Sequence, residues 1–167
     1  MEKKRLQIGI YSPYFEILGG GERYILTIAE LLSGKHTVFL CTRQSIKAKA
    51  EKMFHINLRN VSFLPDNQFK TKSDVFFYMT DGSVFFPKAK KNFLIIQSPA
   101  HCPHNSFLNK LKLRNWRILC YSEFMQSIIK ARLGKASIIL SPPIDIQAFK
   151  VEESRKENSI LTVGRFF

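Results

Sequence analysis

Three consecutive glycines, Gly19, Gly20 and Gly21, run directly into Glu22 and a helix-patterned stretch, and they carry the most pointed chemistry in the chain. Glycine permits positive φ and lets backbone approach a ligand with no Cβ in the way. A helix starting here aims its unpaired N–H groups and the positive end of its dipole at the loop, which suits phosphate or sugar hydroxyl oxygens. A plain flexible turn is the competing reading of the same residues.

Other residue patterns narrow the chemistry. A dinucleotide fingerprint, G-x-G-x-x-G, aligns on Gly19 and Gly21 but meets Tyr24 at its third position. The acid that would hold a ribose 2′-hydroxyl about 20 residues later is missing, so only a 2′-phosphate reader built on Arg43 survives. That leaves a Rossmann-type NADP-dependent oxidoreductase as one alternative. His101-Cys102-Pro103-His104 invites a metal, yet a structural site needs four ligands in paired short spacings and no D-x-D pair offers itself to a divalent cation, so no metal is expected. Ser122 follows a strand without the glycines of a nucleophile elbow and reads as a helix N-cap.

The elements that position these residues alternate regularly. Leu6–Tyr11, His36–Cys41, Val61–Leu64, Asp74–Tyr78, Asn92–Ile96, Arg117–Tyr121 and Ser137–Leu140 are apolar runs of strand length. Between them fall helical patterns at Gly21–Ser33, Ser45–Phe54 (with Ser45 as its cap), Ser106–Leu113 and Ser122–Leu133, the last ended by Gly134. Several strands are apolar on both faces. This predicts an α/β fold, a Rossmann-like parallel sheet with helices on both faces. Ligands of such sheets bind beyond the C-terminal strand ends, which singles out 11–21, 41–43, 80–83, 97–104 and 121–124.

Composition sets the outer bounds. The 167 residues include 45% hydrophobic side chains and 15 Phe, ample for a folded core. Lys and Arg number 26 against 13 Asp and Glu, a net charge of +13 that asks for an anionic partner. Three scattered cysteines make no disulfide framework, and no signal peptide or spanning segment is evident, so a cytoplasmic location is expected. Lys110, Lys112, Arg114 and Arg117 surround Trp116, and with Leu108, Leu111 and Leu113 they could rest on an anionic membrane, the indole at headgroup depth. A non-catalytic basic module on membrane or nucleic acid is therefore a further alternative, although no nucleic-acid motif supports the latter.

Residues 1–150 read as one domain, 151–158 as a charged linker, and 159–167 (SILTVGRFF) as the first strand of a second, interrupted domain. Taken with these, three segments resemble the retaining glycosyltransferases of the GT-B fold, most closely glycosyltransferase family four: YSPYFEILGGGERY, YSEFMQSII, and SPPIDIQAFK followed by SILTVGRFF. The resemblance implies the N-terminal, acceptor-side half of a two-domain, metal-independent enzyme. That enzyme would move sugar from a nucleotide-sugar, held mainly by the other domain, to a polysaccharide or lipid-linked acceptor, and this half alone would be inactive.

By resemblance, Gly19, Gly20, Gly21, Gly164 and Arg165 would face the donor diphosphate. Glu22, Asp81, Gly82, Gln97 and Ser122 would lie on the acceptor side. Gln97 stands where some lipid-linked-sugar members carry histidine, so either His101 is the candidate catalytic imidazole or this position tolerates an amide. No resident cofactor is implied, only the nucleotide-sugar substrate.

Overall fold

Apolar runs that are hydrophobic on both faces can satisfy their backbone only inside a sheet that is covered twice. The computed structural model, which describes residues 4–65, 72–144 and 160, has that arrangement. Its elements are β1 (Gln7–Tyr11), α1 (Gly20–Ser33), β2 (Thr37–Cys41), α2 (Ile46–Phe54), β3 (Val61–Leu64), β4 (Val75–Met79), β5 (Lys91–Ile96), α3 (Phe107–Lys112), β6 (Arg117–Cys120), α4 (Glu123–Leu133) and β7 (Ser137–Ile139). Among the described residues, seven strands form one all-parallel sheet in the order β3-β2-β1-β4-β5-β6-β7. The expected linker at 151–158, the strand at 159–163, Gly164 and Arg165 lie outside the described residues.

Side-chain parity divides the core in two. Ile8, Ile10, Val38, Leu40, Val75, Met79, Ile95 and Leu119 join Ile25, Leu26 and Ala29 of α1 and Ala50 of α2 on one face. Phe76, Tyr78, Leu94, Ile96, Ile118 and Cys120 join Met125, Ile129 and Leu133 of α4 on the other. Gly9 sits at the middle of β1, where a Cβ would lie 2.8 Å from both Phe39 Cε2 and Phe76 Cδ2. Rings from both neighbouring strands thus close over β1, and only glycine leaves room for them.

The crossover from β4 to β5 contains no helix. Its place over the second face is taken by an aromatic cluster, in which Phe85 stands 4.9 Å from Tyr78 and 5.4 Å from Trp116, centroid to centroid. Trp116 is 5% exposed and its Nε1 donates to the Phe85 carbonyl oxygen at 3.0 Å. The indole is therefore a core side chain, and Leu113, 1% exposed, is another. This corrects the expectation that Trp116 reaches a lipid headgroup: burial of the ring and its one donor exceeds anything a surface could offer it.

Two caps show how local signals fared. Ser122 Oγ accepts from Met125 N at the start of α4, and Gly134 ends that helix in the left-handed region at φ 64°. Ser45 does not cap α2. Its backbone is already helical (φ −58°, ψ −22°), because a preceding turn in which Lys47 N donates to the Gln44 carbonyl leads into the helix. Among the described residues no helix is long and apolar enough to cross a membrane.

The core assignment of Trp116 makes a direct prediction. Trp116→Ala should lower the unfolding free energy by about 3–5 kcal/mol in urea titration, the cost of emptying an aromatic core site. A change below about 0.5 kcal/mol, the usual size of a surface substitution, would return the indole to the surface.

Candidate functional site

Strand order reverses direction between β1 and β4, so the crevice beyond their C-terminal ends is the fold's natural binding position. The β1–α1 loop ends there in the three glycines, and parity decides what meets them. Met79, Gln97 and Tyr121 follow the inward-facing positions of β4, β5 and β6 on the α1 side. All three converge on the first turns of α1. A Cβ on Gly21 would collide with Gln97 Oε1 and lie 3.1 Å from Met79 Sδ. Tyr121 packs against Tyr24 with the rings tilted by 54° and their centroids 4.6 Å apart.

Close approach is the role of Gly21, and none of the three takes positive φ; that conformation falls instead on the preceding Leu18, at φ 52° and 2% exposed. A buried, γ-branched residue in the left-handed region costs backbone energy, a kind of strain that gathers at functional turns. Gly20 has no atom within 4 Å of its would-be Cβ, so the space above the helix N-terminus is open. A cavity of about 400 Å³ lies beside it, lined by Gly20, Gly21, Arg23, Tyr24, Tyr121 and Pro142 together with Pro143.

Glu22 is 4% exposed, and its Oε2 accepts from Gly19 N at 2.9 Å while Oε1 lies 3.5 Å from Ser12 Oγ. This corrects its placement on the acceptor side. The carboxylate is turned inward, ties the loop to the helix it starts, and sits where the helix dipole favours negative charge. Ser122, likewise expected there, has its Oγ committed to the α4 cap.

Tyr24 explains why the third fingerprint glycine is dispensable. Its ring is 2% exposed and its hydroxyl donates to the Leu140 carbonyl at 3.1 Å, so α1 is spaced from the sheet by an aromatic wedge. Burial, with a smaller contribution from Cys120, pushes this phenol up to about 12. Burial, reinforced by Tyr24 and Glu22, also raises Tyr121, whose hydroxyl is buried with no hydrogen-bond partner among the described residues. Both phenols keep their protons at physiological pH, and Tyr24 spends its own on the Leu140 carbonyl. Tyr121 falls within the segment 121–124 singled out beyond a strand end, but no motif gives it a role; the signal for one is its odd-numbered place directly after β6.

The remaining candidates assemble at the ends of β4 and β5. Ser98 Oγ and His101 Nδ1 are 3.0 Å apart, and the imidazole packs 5.8 Å from the Tyr14 ring of the β1–α1 loop. The His101 carbonyl lies 4.0 Å from the would-be Cβ of Gly82, which has φ 105° and thus needs glycine. Asp81 Oδ1 accepts from Tyr78 Oη at 3.1 Å and Ser83 N at 3.0 Å. Burial raises the Asp81 carboxyl, but the hydrogen bonds from Ser83 and Tyr78 outweigh it, leaving the group below the usual carboxylate range.

The structure thus sets Gln97 against Gly21 and, beyond the same strand ends, His101 against Tyr14 and Gly82. His101, Cys102 and His104 do not converge: among the described residues no three His, Cys, Asp or Glu side chains could hold a metal ion together. Burial raises the Cys102 thiol, partly offset by Arg132, so it is no ready thiolate. Arg43 is exposed and stands 3.7 Å from Glu16 Oε1. Comparisons with protein-family models, curated proteins and solved structures find no match for this chain.

The close approach at Gly21 predicts a pattern of stabilities. Gly21→Ala should cost about 1–3 kcal/mol as an overpacked site, and Gln97→Ala in the same chain should recover much of that loss. Gly20→Ala should leave stability unchanged or raise it by up to about 1 kcal/mol. Equal losses at both glycines in urea titrations would mean that Gly20 is packed rather than open.

Proposed function

We propose that this chain is the acceptor-side domain of a sugar-nucleotide-dependent glycosyltransferase, with Gly19–Gly21 as the wall that meets the donor diphosphate. One observation carries the reading: an open helix N-terminus at the point where strand order reverses, beside a cavity of about 400 Å³. Amide N–H groups there would stabilise charge as it develops on the leaving diphosphate, an oxyanion-hole effect that needs no reorganisation. The bond from an acceptor hydroxyl oxygen to the anomeric carbon forms as the bond to the diphosphate oxygen breaks, and the hydroxyl proton passes to the departing diphosphate.

His101, held by Ser98 and Tyr14, and Asp81 and Gly82 would align a polysaccharide or lipid-linked acceptor across the crevice. Retention of configuration, independence from metal and a second domain supplying Gly164 and Arg165 are what the resemblance to family four adds. The dinucleotide alternative is weaker at this loop, because Tyr24 fills the position that close helix–strand packing would reserve for glycine.

Protein expressed from its complete reading frame should turn over at least one member of a nucleotide-sugar panel, releasing nucleoside diphosphate. Gly20→Ala should lower kcat/KM by about tenfold or more with no loss of melting temperature, because its methyl would fill the open space through which the diphosphate must approach the amide N–H groups. Absence of binding or turnover across the panel would remove the transferase reading. Tight NADPH binding abolished by Arg43→Asp would put the oxidoreductase in its place.

A further inference from the structure

The helix α3 buries none of its residues, although half of them are large and apolar. Phe107 is 86% exposed, Leu108 53% and Leu111 39%, while the chain is anchored just beyond by Leu113 and Trp116 in the core. At about 100° per residue these three side chains share an arc of about 100°, with Lys110 about 60° to one side and Lys112 about 40° to the other. Ser106 fixes the start of the helix by accepting from Asn109 N at 3.2 Å, and Asn109 Nδ2 donates to the His104 carbonyl at 2.9 Å. The apolar arc is therefore held outward on a short, tied element.

Charge identifies what covers it. Between Asp81 and Glu123 the chain contains no acidic residue, while Lys88, Lys90, Lys91, Lys110, Lys112, Arg114 and Arg117 fall in that interval. Lys90 is paired with Asp74 at 2.7 Å; Lys110 flanks the arc on α3 itself, and Arg114 and Arg117, just beyond the end of the helix, are exposed. Three large apolar side chains flanked by cations match an interface of acyl chains below anionic headgroups, where each basic residue near the surface adds attraction and each buried methylene adds transfer energy. Nucleic acid would use the cations and at most stack a base on Phe107, leaving Leu108 and Leu111 without a role.

We infer that α3 is a membrane-docking element that inserts Phe107, Leu108 and Leu111 into an anionic lipid surface while Lys110, Lys112, Arg114 and Arg117 engage its headgroups. The inference goes beyond the transferase reading and does not depend on it. It replaces Trp116, a core residue, with Phe107 as the inserted ring. Because α3 follows directly from the 97–106 loop that carries His101, docking would bring the crevice close to the bilayer surface.

Co-sedimentation of the intact chain with vesicles tests this without any activity assay. The protein should pellet with vesicles of phosphatidylcholine containing about one-third phosphatidylglycerol and stay in solution with phosphatidylcholine alone, the charge selectivity expected of such a surface. Phe107→Ser with Leu111→Ser, and separately Lys110→Glu with Lys112→Glu, should each weaken binding by about tenfold or more with unchanged circular dichroism. Lys49→Glu with Lys52→Glu on α2 makes the same change in net charge and should leave most of the binding. Equal loss in the α2 variant, equal pelleting on neutral vesicles, or retention of duplex DNA with no pelleting on either vesicle would overturn the inference.

Discussion

The absence of a side chain at Gly21 is the constraint on which the crevice depends. Because no Cβ stands there, the first turn of α1 can sit against Gln97 and Met79 at the ends of β5 and β4. The helix N-terminus is thereby placed over the point where strand order reverses instead of being pushed away from it. Glu22 closes the turn from inside through Gly19, and Leu18 absorbs the backbone strain that the sharp entry requires. Gly20, next along, is left facing open space. One residue's lack of bulk makes the approach, and its neighbour's lack of bulk keeps the approach accessible.

Parity in the sheet supplies the rest of the site. Odd-numbered residues of β4, β5 and β6 face α1, so Met79, Gln97 and Tyr121 arrive together although 42 residues separate the first from the last. Tyr24 then wedges the helix from the sheet, tilted against Tyr121 and bonded to Leu140, and this defines a cavity where a dinucleotide-type loop would pack glycine directly on a strand. Buried phenols raised by desolvation stay protonated there, and that of Tyr24 donates to the Leu140 carbonyl.

The order of strands and helices was readable because periodicity is local, and so was the Ser122 cap, whose signal lies within four residues. Trp116 was misread for the opposite reason. A tryptophan among lysines and arginines looks interfacial until the helix-free crossover brings Phe85 over it, and that partner lies 31 residues away. Glu22 was misplaced because a carboxylate beside a glycine loop can face either ligand or backbone, and only the fold of the turn decides. Ser45 lost its cap to a turn that its own flanking residues do not signal. The roles of Gly19–Gly21 divided in a way no motif encodes, since three identical residues met three different surroundings.

The central claim, that the N-terminus of α1 is an anion-binding wall, is tested most directly by titrating isotope-labelled protein with inorganic pyrophosphate and following backbone amide resonances. At about 0.15 M salt, where exposed lysines are screened beyond roughly 8 Å, saturable shifts should centre on Gly20, Gly21, Glu22 and Arg23, with the Gln97 side-chain amide moving alongside. Shifts confined to the lysine-bearing surfaces, or none at the glycines at saturating pyrophosphate, would contradict it.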